Sequence, residues 1–193
     1  MRKDIPVIGV DLDDVLWSLL EAWLNRYNDV ADDNVLPADI KSWDIAQYIK
    51  NGTREMLFYI LEQDDFWDTV QPIPDSQLYL KKFIDDGYDV NIVTASSYKV
   101  LKPKMNRLYE LFPFIKNKQV IVTERKQMID LDVLIDDNPA NLCDSSYTKV
   151  LFDAPHNQWC NEHEIGAVRL SNWKDVYEFI KEKFPIERSY IGR

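Results

Sequence analysis

Val7-Ile8-Gly9-Val10-Asp11-Leu12-Asp13-Asp14-Val15-Leu16 is the stretch that decides the fold. A Val- and Ile-rich run of four residues reads as a strand buried on both faces, the kind found in parallel sheets. It runs directly into three carboxylates. Ligands of such sheets bind just beyond the carboxyl ends of the strands, which is where these acids fall. If the extended backbone persists, Asp11 and Asp13 point the same way. Two like charges about 4 Å apart repel by roughly 4 kcal/mol at an effective dielectric near 20. A cation, a shared proton or exposure to water must offset that.

Working outward, Leu16, Leu19, Leu20, Trp23 and Leu24 recur at helical spacing, which predicts a helix over 15–27 closed by Asp32-Asp33-Asn34 and Pro37. Asn51-Gly52 marks a turn, and a short helix is expected from Thr53. Pro72-Ile73-Pro74 follows as a rigid segment. Asp75 is placed to cap the next helix and Gly87 to stop it. Further strands are expected at 90–93, 120–122, 133–135, 150–152 and 167–170, with helices over 102–112 and from Trp173 onward, the last capped by Ser171 or Asn172. Strands alternating with helices give an α/β fold with a central, mainly parallel sheet and right-handed crossovers. Residues 16–71 hold no convincing strand and read as an inserted helical module.

The 193 residues are 46% hydrophobic and 29% charged, enough for a sizeable core, and the formal net charge is −10. That balance speaks against binding a nucleic-acid polymer or an anionic membrane, and leaves room for a small anionic ligand held by a local pocket. Cys143 and Cys160 lack C-x-x-C spacing, Asp4 and Pro6 interrupt the basic start, and no apolar run spans a bilayer; the expectation is a cytoplasmic protein.

The polar strand ends form a set: Asp11 and Asp13, then Thr94, Lys126, and Asp136 with Asp137. Alone, Thr94 reads as a cap for the helix after it, Lys126 as a solvated lysine, and Asp136-Asp137-Asn138-Pro139 as a turn. Together, along one edge of a parallel sheet, the carboxylates suit a hard cation such as Mg²⁺. A hydroxyl, backbone amides and a lysine suit a phosphate.

In this order the residues resemble the four motifs of the haloacid dehalogenase (HAD) superfamily. Within it they look most like the 5′(3′)-deoxyribonucleotidase group. Its D-x-D-x-V-L opening, inserted cap, Phe-Trp return ahead of Pro72-Ile73-Pro74, Ile135-Asp136-Asp137, Asp153-Ala154-Pro155-His156-Asn157 and Asn172-Trp173 all have counterparts. The resemblance implies a HAD-like three-layer sandwich, with residues 1–15 and 72–193 as the core domain and 16–71 as a helical cap. It implies a Mg²⁺-dependent phosphatase of nucleoside monophosphates acting through an aspartyl phosphate. The alternatives are a phosphatase of another small phosphomonoester and a non-catalytic nucleotide-binding module.

On that resemblance Asp11 is the nucleophile and Asp13 the general acid and base. Mg²⁺ is held by Asp11, the Asp13 carbonyl and Asp136, while Thr94, Ala95 and Lys126 bind the phosphoryl oxygens. Asp137 supports from behind, holding Lys126 or a metal-bound water. Trp43, Phe66 and Trp67 are expected beside the substrate base, although Phe66 suits packing better, and Lys102 and Lys104 near the phosphate or sugar. Asp14, where mammalian members carry Gly, is expected to be solvated or a turn contact. His156, Cys160 and His163 have zinc-like spacing without an evident fourth ligand. The partner is a small nucleotide, and a homodimer is left open.

Overall fold

A computed structural model of the chain describes residues 5–186. The outer ends of the expected core span, 1–4 and 187–193, lie outside the described residues. Among the described residues six strands form one sheet: β1 (Val7–Val10), β2 (Asp89–Thr94), β3 (Val120–Val122), β4 (Val133–Asp136), β5 (Thr148–Phe152) and β6 (Ala167–Leu170). All five pairings are parallel, in the order β3-β2-β1-β4-β5-β6.

Strand alternation splits the core into two layers. Ile8, Val10, Ile92, Ile135 and Val150 pack into the larger one, under the long helices. Val93, Leu134 and Leu151 join Leu131, Leu142 and Tyr147 in a thinner layer on the other face. Gly9 belongs to the thin side, where Leu131 comes so close that a Cβ on Gly9 would lie 2.5 Å from its Cδ1. A side chain there would push the layers apart.

The helices are α1 (Leu19–Ala31), α2 (Arg54–Tyr59), α3 (Ser76–Asp86), α4 (Tyr98–Leu111), α5 (Pro139–Leu142) and α6 (Trp173–Lys183). Thr53 caps α2 by accepting from Met56 N–H, Asn172 caps α6 through Asp175 N–H, and Gly87 closes α3 at φ 99°. Three expectations shift. The chain turns tightly at 12–17, with Leu16 N–H donating to Leu12 O, so α1 starts at Leu19 rather than residue 15. Asp75 sits at the start of α3 in a left-handed conformation, and its side chain makes no capping bond. Helix α4 begins at Tyr98, four residues early, and carries Pro103 inside it. Proline removes one backbone donor, and the helix runs through it from Tyr98 to Leu111.

Between Leu19 and Thr69 the described chain has only helices and 3₁₀ turns. The outgoing and returning segments lie side by side: Ser18 N–H donates to Gln71 O and Ile73 N–H to Leu16 O, both at 2.9 Å. Trp173 Nε1 donates to Val15 O, and Arg107 donates twice to Val70 O, tying both ends of the segment to the sheet domain.

Candidate active site

Strand order reverses direction between β1 and β4, and a crevice opens there beyond the carboxyl ends of the strands. Asp11 N–H donates to Ile135 O, extending the β1–β4 ladder by one residue. This places Asp11 beside Asp136. Lys126, brought in by a 3₁₀ turn after β3 and 1% exposed, lies between them: its Nζ is 2.8 Å from Asp11 Oδ1 and 2.7 Å from Asp136 Oδ2. Burial works to lower the Lys126 pKa, but the charges of Asp11 and Asp136 outweigh it and hold the group protonated.

A second lysine organises the neighbouring half. Lys104, 2% exposed on α4, donates to Asp13 Oδ2 (2.6 Å), Thr94 Oγ1 (2.9 Å) and Ala95 O (3.0 Å). Trp17 Nε1 donates to the other Asp13 oxygen at 2.8 Å, fixing that carboxylate on both sides. Thr94 is therefore no helix cap, and Lys126 no surface lysine. The structure brings Asp11, Asp13, Thr94, Ala95, Lys104, Lys126, Asp136 and Asp137 together.

Asp136 and Asp137 divide their work differently from the expectation. Both Asp136 oxygens are well supplied with donors: Lys126, the Asn138 amide N–H and the Asn141 side-chain amide. Asp137, 1% exposed, bonds His156 Nε2 through Oδ2 at 2.5 Å, while its Oδ1 is buried with no hydrogen-bond partner. Asp11 Oδ1, also buried, has the Lys126 ammonium 2.8 Å away as its ion-pair partner. Ligand oxygens of Asp11, Asp136 and Asp137 lie within 4.8 Å of one another. Burial, then mutual repulsion, raises Asp137 well above the usual carboxylate range; burial pushes Asp136 up to about 6. Crowded hard oxygens with bare lone pairs fit a divalent cation such as Mg²⁺. Asp137 has the open oxygen, so it is at least as well placed to hold one as Asp136.

Above the acids is a cleft of about 300 Å³, in the range of small-molecule sites. Asp13, Asp14 and His156 form its floor, and Trp23, Trp43 and Phe58 are its aromatic walls. Trp43 is 54% exposed, with its ring edge-on to His156 at 4.8 Å. Phe66 and Trp67 do not reach the cleft. They are 0% and 2% exposed, with Trp67 packed on Trp17 and its Nε1 donating to Leu61 O; they fill the interior of the inserted segment, whose turn at 64–69 lies against α4. Lys102 faces a separate groove beside Asp64, Asp68 and Glu110.

Asp14 is the expected turn contact rather than a solvated residue, its N–H donating to Trp17 O. Its φ is 53°, its Oδ1 accepts from Leu20 N–H, and burial followed by the charge of Asp137 pushes its pKa up to about 8. His163 is exposed, so the zinc-like spacing assembles no site with His156. His156, Phe58 and Arg54 are cleft residues that the sequence reading missed. His156 alone had a signal, its Pro-His-Asn segment.

Comparison with known families matches residues 5–184 to the family described as 5′ nucleotidase, deoxy (pyrimidine), cytosolic type C protein. A 5′(3′)-deoxyribonucleotidase of Clostridium acetobutylicum is 38% identical over 171 residues, covering 89% of this chain and 92% of the relative. One from Bacillus subtilis is 35% identical over 172 residues, covering 88% and 95%. Among solved structures, a HAD family hydrolase from Deinococcus radiodurans with bound phosphate and sodium superposes with a TM-score of 0.61 at 15% identity, over 93% of this chain and 96% of that one. The B. subtilis HAD-hydrolase YfnB, bound to magnesium, gives 0.58 at 12% identity, over 91% and 98%. These two show the fold alone.

Proposed function

The chain belongs to the family of 5′ nucleotidase, deoxy (pyrimidine), cytosolic type C proteins, on the HAD hydrolase fold, and from that premise we propose how its residues work. The protein is a phosphoric monoester hydrolase acting on nucleoside monophosphates. We infer that its substrates are deoxyribonucleotides and that residues 16–71 are a cap over a core of 1–15 and 72–193.

Asp11 attacks phosphorus, forming the aspartyl phosphate while the ester bond breaks. Asp13 gives its proton to the departing nucleoside oxygen, then takes one from the water that hydrolyses the acyl phosphate. Trp17 and Lys104 hold the Asp13 carboxylate for both transfers. Thr94, the Ala95 amide, Lys104 and Lys126 gather the phosphoryl oxygens and balance their growing charge. Mg²⁺, held by Asp11, the Asp13 carbonyl and the Asp136–Asp137 pair, would screen the nucleophile from the phosphate. The nucleobase lies in the aromatic cleft against Trp43.

The observation that carries this reading is the pairing of two buried lysines with separate carboxylates, Lys126 with Asp11 and Lys104 with Asp13, beneath an apolar cleft. The test is phosphate release, with Mg²⁺, from deoxy- and ribonucleoside 5′- and 3′-monophosphates and from sugar phosphates. Faster turnover of deoxynucleotides is expected. A preference for sugar phosphates would overturn the substrate, and nucleotide binding without phosphate release would overturn the chemistry.

A further inference from the structure

His156 joins both halves of the site, lying on the cleft floor beside Asp14 and Asp137. It sits on the 3₁₀ turn Pro155–Asn157 after β5, 3% exposed. One edge of its ring meets Asp137 Oδ2 through Nε2, and the ring also packs edge-on against Trp43 of the inserted segment. The turn is held independently of both contacts. Asn157 Nδ2 donates to Asp137 O and Phe152 O, each at 2.8 Å, and Arg169 donates to Asn157 Oδ1, Asp153 Oδ1 and Cys160 O at 2.7–2.8 Å. The 3₁₀ turn Pro37–Asp39, which leads towards Trp43, packs beside the same turn.

We propose that His156 is a positioning residue with two separable tasks: it turns Asp137 so that Oδ1 is free for the cation, and it sets the tilt of Trp43 against the substrate base. The first task follows from hydrogen-bond geometry. An Asp137 ionised to hold a cation can only accept, so a neutral His156 would present Nε2–H to Oδ2 and leave free Oδ1, the oxygen that has no partner in the structure. Outer partners that orient a metal-binding carboxylate typically change metal affinity about 10–100-fold when lost. The second task is an edge-to-face aromatic contact, worth about 0.5–1.5 kcal/mol, or roughly 2- to 12-fold in binding. Histidine supplies a ring and a donor in one small side chain, and nothing else on the cleft floor offers both.

The inference rests on the proposed cation and nucleobase sites, and two variants separate its tasks. His156→Phe keeps the ring but has no N–H; His156→Gln keeps a donor near Nε2 but has no ring. Mg²⁺ binding to each protein is measured by calorimetry without substrate. The kcat/KM for deoxyuridine 5′-monophosphate relative to p-nitrophenyl phosphate is then measured at saturating Mg²⁺. Phe is expected to weaken Mg²⁺ at least about 10-fold while holding the substrate ratio within about 2-fold. Gln is expected to hold Mg²⁺ affinity within about 3-fold while lowering the ratio about 5-fold.

Unchanged Mg²⁺ affinity in the Phe variant, or parallel losses in both variants on both measures, would overturn the proposal. If wild type hydrolysed no nucleotide, the functional reading would fail; the calorimetry would still decide the Asp137 task.

Discussion

With divalent cations removed, lowering the pH should stabilise this protein, against the usual trend. The cause is the buried acid cluster. Asp136 is pushed up to about 6, and Asp137 moves further the same way because it is buried beside Asp136 and Asp11. An acid whose folded pKa exceeds its unfolded value, near 4, binds more protons in the fold between those two values. Stability there falls as pH rises. Asp136 alone would cost the ionised, metal-free fold on the order of 3 kcal/mol. Asp14, pushed up to about 8, adds in the same direction, discounted because part of its surface opens to the cleft.

His156 opposes this. Burial holds it below the usual imidazole value, so near pH 6 the unfolded chain binds up to one proton more at this position. With Asp14 discounted in full, two acids against one histidine leave a net uptake of about one proton by the fold. That is roughly 1.4 kcal/mol per pH unit, or about 3 kcal/mol between about pH 7.5 and 5.5. The assay is urea unfolding across that range, in EDTA and in excess Mg²⁺. In EDTA stability should rise on acidification. In Mg²⁺ the carboxylates stay ionised beside the cation, so the rise should shrink or reverse, with the largest Mg²⁺ stabilisation at high pH. Stability that falls on acidification in EDTA, or equal slopes with and without Mg²⁺, would refute the reasoning.

Asp11→Asn should lower phosphate release by about 10⁴-fold or more while its melting temperature in EDTA does not fall, since it removes a buried charge and little volume. Trp43→Ala should raise KM for a nucleotide about 5-fold or more, from a stacking loss of about 1–3 kcal/mol, and change KM for an aryl phosphate far less. Lys104→Met keeps the buried stem but frees Asp13 and Thr94; kcat should fall about 10²-fold, with a far-ultraviolet circular dichroism spectrum like wild type. Gly9→Ala should destabilise by about 1–3 kcal/mol in urea, because its Cβ meets Leu131 at 2.5 Å and Leu134 at 3.1 Å.

The sheet was legible because its strands are short apolar runs that end in acids, hydroxyls or turns. Alternation and burial give such runs a single reading in a parallel sheet. Boundaries were less legible where one residue type has two uses: Pro103 starts some helices and here lies inside one, and Asp75 has the right identity for a cap without the right geometry. In the site, Asp11, Asp13, Thr94 and Lys126 were recoverable because each closes or follows a strand of the sheet. Asp136 and Asp137 were recoverable as a pair only. Which of them is saturated depends on Asn141 and His156, the second arriving from a turn 19 residues beyond Asp137. Phe66 and Trp67 were misplaced because an aromatic beside a substrate and an aromatic beneath it look alike in sequence. Only exposure separates them, at 0% and 2% against 54% for Trp43.

That separation explains how one fold can keep its chemistry and change its substrate. The acids hang from the ends of β1 and β4, and the lysines from α4 and the turn after β3, all anchored on a sheet locked by parallel ladders and two apolar layers. The cleft walls come from 16–71, whose chain leaves and returns through paired backbone at Ser18–Gln71 and Leu16–Ile73. Trp43 can therefore change without moving Asp11, provided the contacts between the two halves survive. They include Trp17 on Asp13, Arg107 on Val70 O, and Trp43 on His156. Of these only the last reaches both the open cleft and the carboxylate with the bare oxygen. A change of base preference and a change of metal affinity should meet at that contact.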